Sequence, residues 1–328
     1  MKPLELVCPA GTPAALRSAV QAGAHTVYCG FADETNARNF PGLNFSREDM
    51  HQAVAFAHQH GSKVLVAINT FPRAGDEDIW HRAIADAESA GVDAVILADV
   101  GLLAHAAAHH PGLRLHLSVQ AAAANPDVIN FYATEFGVRR VVLPRVLSVA
   151  EISAINREID VETEVFVFGG LCVMAEGRCS LSSYATGKSP NMQGVCSPAS
   201  HVQYVQDGPN MISKLGEFTI DKAAKDEPAP YPTLCKGCFS TKGEVSRVFE
   251  EPTSLNAAQL IPRLAKIGVT ALKIEGRQRS RAYVAAVVRN FRAAAEATAA
   301  GRPIPADTLA HLSEGQSSTV GAYKKTWR

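Results

Sequence analysis

The chain lacks an excess of charge of either sign: 32 Lys and Arg stand against 32 Asp and Glu in 328 residues, leaving it formally neutral. A dedicated nucleic-acid binder carries a basic surplus or stripe, so no nucleic-acid partner is expected. No apolar run approaches the roughly 20 residues that a membrane-spanning helix needs. The opening Met1-Lys-Pro-Leu-Glu-Leu-Val-Cys8-Pro-Ala-Gly11 reads as a strand and its turn, without the basic and apolar blocks of a signal peptide. A cytoplasmic protein is expected. Several motifs are also missing. No Gly-rich dinucleotide fingerprint follows the first strand, and there is no P-loop lysine motif, no G-x-S-x-G elbow and no His-Glu-x-x-His pair. His51, His58, His60, His81, His105, His109 and His110 fall in helical segments and read as solvated faces.

What is present is alternation. Eight β-branched, apolar runs read as strands: Leu4–Cys8, Thr26–Gly30, Lys63–Asn69, Ala94–Ala98, Arg114–Val119, Arg140–Leu143, Glu164–Phe168 and Thr270–Ile274. Amphipathic helices lie between them, among them Pro13–Ala22, Arg47–His60, Asp78–Ala90, Gly101–His110, Pro126–Phe136 and Val149–Ile159. Alternating strands and helices imply a parallel sheet, and eight such units imply an α/β (β/α)8 TIM-like barrel filled by Val, Ile and Leu. The spacing breaks once. A cysteine-bearing insertion separates strand seven from its helix, which is expected at about Leu255–Ile267 with Ser254 as its cap. The expected divisions are 1–168 for the first seven strands, 169–252 for the insertion, 253–300 for barrel completion and 301–328 for a tail without a readable motif.

The insertion holds Cys172, Cys179, Cys196 and Cys235, separated by six, sixteen and thirty-eight residues. Structural zinc sites usually show two short Cys-x₂₋₄-Cys knuckles, and only Cys235-Lys-Gly-Cys238 has that form. Ligands of an iron–sulfur cluster tolerate wider separation. Spacing leaves a cluster, zinc and unliganded thiols open, and leaves open whether Cys238 replaces Cys235. Cys8 and Cys29 sit in predicted strands and read as core residues.

Catalytic barrels carry their chemistry at the C-terminal ends of the strands. There the sequence places Asn69 and Thr70, Asp99, Ser118 and Gln120, Arg145, Glu275, Arg277 and Arg279, with Asn36 and Arg38 in the long loop after strand two. Asp99 reads as a helix cap. The arginines need anionic partners: Glu275 within the chain, or a dicarboxylate substrate gripped by guanidinium forks. The substrate-binding candidates are Asn36, Arg38, Asn69, Thr70, Gln120, Arg145, Glu275, Arg277 and Arg279; no catalytic residue is assigned.

The segment Glu164-x-Phe-x-x-Gly-Gly-Leu-Cys172-x₄-Gly177-x-Cys179-x-Leu-Ser resembles the signature of the collagenase-like peptidases of unassigned catalytic type, with Gly170 where that signature usually has Ser or Ala. Further stretches, including Asp33–Arg38, Gly42–Phe45, Ala67–Phe71, Val141–Ser148, Tyr231–Lys236, Glu251–Asn256 and Lys273–Ser280, are similar to its ubiquinone-biosynthesis subfamily. The resemblance implies a [4Fe–4S] cluster on Cys172, Cys179, Cys196 and Cys235. It implies a heterodimer with a cluster-bearing paralogue of the UbiV type, and oxygen-independent hydroxylation of the ubiquinone ring with prephenate as oxygen donor. A lipid-carrying accessory protein is then expected to deliver the apolar polyprenyl quinone precursor. RNA hydroxylation, as in longer family members, a non-catalytic cluster-bearing scaffold and peptidase activity are the competing functions. The last is disfavoured because thiolates held by iron are poor nucleophiles.

Overall fold

The computed structural model describes residues 4–194, 196–224, 227, 229–306, 309–313 and 317–324. The chain begins with seven parallel strands and the helices between them. These are β1 (Glu5–Pro9), α1 (Pro13–Gln21), β2 (Thr26–Cys29), α2 (Arg47–Gln59), β3 (Lys63–Ile68), α3 (Asp78–Ser89), β4 (Ala94–Leu97), α4 (Val100–His109), β5 (Leu115–Leu117), α5 (Pro126–Phe136), β6 (Arg140–Val142), α6 (Val149–Asn156) and β7 (Glu162–Gly170). Local chemistry sets many of the helix starts. Thr12, Asp99 and Asn125 accept from backbone amides at the starts of α1, α4 and α5, and Ser46–Asp49 and Ser148–Glu151 form capping boxes on α2 and α6. Asp99 is therefore the cap its position suggested.

The insertion follows. It contains α7 (Leu181–Thr186), an antiparallel sheet of β8 (Val202–Asp207), β9 (Asn210–Leu215) and β10 (Phe218–Ala224), and a hairpin of β11 (Cys238–Thr241) and β12 (Glu244–Arg247). The expected helix at Leu255–Ile267 is shorter than its sequence pattern. Ser254–Asn256 forms a strand, β13, antiparallel to Phe168–Gly170 of β7, and α8 covers only Ile261–Lys266. Pairing with the barrel wall overrides the helical pattern, and Ser254 is a buried strand residue, not a cap.

After α8, β14 (Ala271–Ile274) pairs in parallel with both β7 and β1 and closes an eight-stranded barrel; α9 (Arg281–Ala299) then packs beside α1. The tail, in which the sequence shows no readable motif, packs onto the barrel where it is described. Ser318–Thr319 (β15) pairs with β13, and the buried Tyr323 hydroxyl donates to the Phe166 carbonyl. Residues 307–308, 314–316 and 325–328 lie outside the described residues. Among the described residues no helix is long and apolar enough to cross a membrane.

The main core lies between strands and helices, around Trp80, Phe291, Leu6, Leu16, Ile84 and Leu97. Cys8 and Cys29 are fully buried there, Cys29 with its sulfur 3.8 Å from that of Met50. The barrel interior departs from expectation. Its apolar layer is thin: Val7, Tyr28, Leu65, Ala67, Ala94, Ile96 and Ala271. Towards the N-terminal ends of the strands an ionic layer replaces Val, Ile and Leu. Arg140 meets Glu5 and Glu162 at 2.6 Å and Glu164 at 3.3 Å, and Glu164 also meets Lys273. These residues occupy alternate strand positions, so they point inward together.

Candidate iron–sulfur and substrate cavity

A cavity of about 1020 Å³ opens at the C-terminal end of the barrel, between the strand ends and the insertion. Cys172, Cys179, Cys196 and Cys235 all line it. Cys172 and Cys179 come from the segment after β7, Cys196 from the loop after α7, and Cys235 from a single 3-10 turn, Leu234–Lys236. Glycines let these segments press onto the rim. Gly177 (φ +81°) and Gly194 (φ +58°) sit so close to the barrel that an added Cβ would lie 1.9 Å from the Gln120 carbonyl oxygen and 1.6 Å from that of Ala37.

The donor set suits a cluster. Burial first, then neighbouring acidic groups, pushes the Cys172 thiol up to about 12; burial with Cys196 beside it does the same for Cys235. Cys196 is raised by burial as well, although it remains exposed, as a group facing a wide cavity can. Thiols in such surroundings ionise only when a cation compensates them. Among the described residues no three His, Cys, Asp or Glu side chains are grouped as ligands of a single metal ion. Cys238 points elsewhere: it opens β11 and its thiol lies 3.4 Å from Asp221 Oδ1, while Oδ2 of the same carboxylate pairs with Arg247.

The polar crown divides by contact. Arg38, Asn69, Gln120, Arg145, Glu275, Arg277 and Arg279 line the cavity. Asn36 and Thr70 do not: both are fully buried behind the wall. Asn36 donates to Asn44 Oδ1 at 2.8 Å and accepts from Arg277 at 2.9 Å; Thr70 donates to the Glu34 carbonyl and accepts from Trp80 Nε1. Their hydrogen-bonding capacity is spent on holding the loop after β2, so substrate contact is corrected to positioning for both. Asn69 is half committed, accepting from the Ala37 amide at 3.1 Å, while the Gln120 side chain donates to the Asn69 carbonyl at 2.5 Å.

The arginines differ in partner. Arg145 pairs with Glu176 at 3.0 Å, donates to the Gly170 carbonyl and stacks 3.9 Å from the Phe166 ring centre. Glu176, within the cysteine segment, was not singled out from sequence; burial raises its carboxyl against the pull of Arg145. Glu275 makes no ion pair among the described residues. It accepts from the Gly170 amide at 2.9 Å, and although burial opposes its charge, Arg38 and Arg145 hold its carboxyl below the ordinary value. Arg277 is 8% exposed and, like Arg38, has no ion pair among the described residues. Burial, with Arg38 nearby, lowers its guanidinium to about 10. Arg38 donates to the Gly194 carbonyl and Arg277 to Asn36 Oδ1, so each is hydrogen-bonded to a neutral group at the cavity wall. Tyr28, Lys273, His311 and Ser313 are also part of the wall. Lys273 had one sequence signal: it lies two residues before Glu275, near the C-terminal end of the last barrel strand.

Residues 11–320 match Peptidase family U32. The chain belongs to this family. It is 34% identical to tRNA hydroxylation protein P of Escherichia coli (strain K12), over 94% of this chain and 71% of that protein. It is 32% identical to tRNA hydroxylation protein P1 of Bacillus subtilis (strain 168), over 88% of this chain and 62% of the relative. A third relative, 31% identical over 88% of this chain, is the E. coli 23S rRNA 5-hydroxycytidine C2501 synthase, of which the match spans 39%. The U32 membership agrees with the resemblance read from the cysteine signature.

Proposed function

We propose that this chain is an iron–sulfur hydroxylation protein working without O2. Cys172, Cys179, Cys196 and Cys235 would hold a [4Fe–4S] cluster, which supplies one-electron chemistry when bound. One observation carries the reading: four cysteines from three segments share a single cavity with three arginines, Arg38, Arg277 and Arg279, that have no ion pair among the described residues. Relatives named for hydroxylation support it. The protein's own residues supply the rest. Arg38 and Arg277 grip a carboxylate of the oxygen donor, Gln120 and Asn69 line its path, and Arg145, tied to Glu176, braces the cysteine segment. For substrate and partner the reading follows the sequence stretches similar to UbiU. The chain pairs with UbiV, prephenate donates the oxygen, the ring of a polyprenyl quinone precursor accepts it, and a lipid-carrying accessory protein delivers that precursor. The names of the relatives favour a second reading, hydroxylation of RNA by the same cavity.

Anaerobic purification, alone and with UbiV, tests the cluster: iron and acid-labile sulfide in stoichiometric amounts are expected, and zinc in their place sinks the reading. A deletion strain then separates the substrates. Accumulation of unhydroxylated quinone precursors under anaerobiosis supports the first reading; intact quinone with missing RNA hydroxylation selects the second.

A further inference from the structure

The floor of the cavity differs chemically from its cysteine wall. Lys273, in β14, is 5% exposed and lines the cavity. Its ammonium meets Glu164 and lies 3.8 Å from the centre of the Tyr28 ring. The Arg277 guanidinium carbon stands 5.4 Å from the same ring centre, so amine and guanidinium flank one aromatic side chain. Burial, with Arg277 and Arg140 nearby, pulls the amine below its ordinary value despite Glu164. A desolvated lysine among cations is an amine prepared to act as a nucleophile, and Glu164, in contact with that amine, is the group placed to exchange its proton. The other lysine on the cavity wall, Lys236, instead donates to the Thr253 carbonyl at 3.0 Å.

We propose that Lys273 forms a Schiff base with a 2-oxo acid bound in this cavity, whose carboxylate Arg277 holds. The step needs no oxidant. The ammonium passes a proton to Glu164, the free amine adds to the ketone carbon, and the carbinolamine loses its oxygen as water while the C=N bond forms. Glu164 returns the proton during that loss. The inference rests on the reading of the cavity as a site for a carboxylate-bearing donor, and adds a reactive carbonyl to that donor.

The probe is pyruvate with sodium cyanoborohydride, applied to anaerobically purified, cluster-loaded protein, with adducts located by peptide mass spectrometry. A reduced adduct concentrated on Lys273 is expected. Acetone, in which a methyl group replaces the carboxylate, should label it about ten-fold less, the size of effect one guanidinium–carboxylate contact produces. Labelling spread evenly over surface lysines, or equal labelling by acetone, overturns the proposal. Lys273→Arg should abolish the adduct; if that variant does not fold, the adduct map of the unaltered protein decides alone. Iron and sulfide measured on the same samples separate the two ideas. An adduct in protein that never binds iron refutes the cluster only, whereas iron-loaded, hydroxylating protein without an adduct refutes the Schiff base only.

Discussion

Cys235 and Cys238 are close neighbours in sequence, yet one lines the cavity and the other engages Asp221 behind it. The 3-10 turn at Leu234–Lys236 ends at Gly237, and the chain then enters β11, which carries Cys238 away from the other thiols. If the cavity holds the cluster, Cys235→Ala lowers bound iron sharply, while Cys238→Ala keeps it near the level of the unaltered protein; iron and sulfide assays of anaerobic preparations check both. Gly194→Ala is expected to act as strongly as loss of a cysteine. Its left-handed backbone alone costs a side chain about 1–3 kcal/mol, and the added Cβ would overlap the Ala37 carbonyl. Reduced iron content and a lowered melting temperature are the readouts. At this scale the sequence showed residue types at strand ends but not their commitments. Asn36 and Thr70 look as available as Arg38 until the loop after β2 is seen to consume their hydrogen bonds.

At the scale of elements, the strands carried their own signal and the interior layer did not. All eight barrel strands were legible because apolar, β-branched runs alternate with capped helices. The β13 strand was not, because Ser254 followed by an apolar-periodic segment satisfies a helix pattern equally well; pairing with β7, a long-range contact, decides it. The ionic layer hid in plain view, since Glu5, Arg140, Glu164 and Lys273 each look like ordinary strand-end charges. Its consequence is testable. Arg140 serves three carboxylates, and removing one partner of a buried ionic group costs about 3–5 kcal/mol because the other charges stay buried uncompensated. Arg140→Ala should therefore lower unfolding free energy by that amount in urea titrations. Arg140→Ala combined with Glu5→Gln should recover part of it, since Arg140 is the ion-pair partner of Glu5.

For the whole molecule the same layer sets an acid limit. His116 is 2% exposed, its Nδ1 has no hydrogen-bond partner, and burial together with Arg140, Arg114 and Lys273 holds its pKa well below 6.5. The unfolded chain takes up a proton near pH 6.5 that the folded chain refuses, so stability is present above that pH and falls as pH drops below it. The slope is about 1.4 kcal/mol per pH unit for one such group. His25 and His105 are shifted in the same direction, so His116→Gln is expected to shallow the decline between about pH 6.5 and 5.5 without removing it. Denaturant midpoints measured across that range provide the check.

The sequence by itself determined the barrel, the position of its insertion, the capped helices and the family, because these rest on local periodicity, caps and a contiguous cysteine signature. Tertiary structure alone decided that four cysteines, but not Cys238, share one cavity. It also decided that Arg145 is bound to Glu176 while Arg38 and Arg277 are left without ion pairs among the described residues, and that the Lys273 amine on the cavity floor meets the buried Glu164. Each of these depends on side chains brought together from distant segments of the chain, and the barrel that carries those segments is complete only when β14 closes it between β7 and β1.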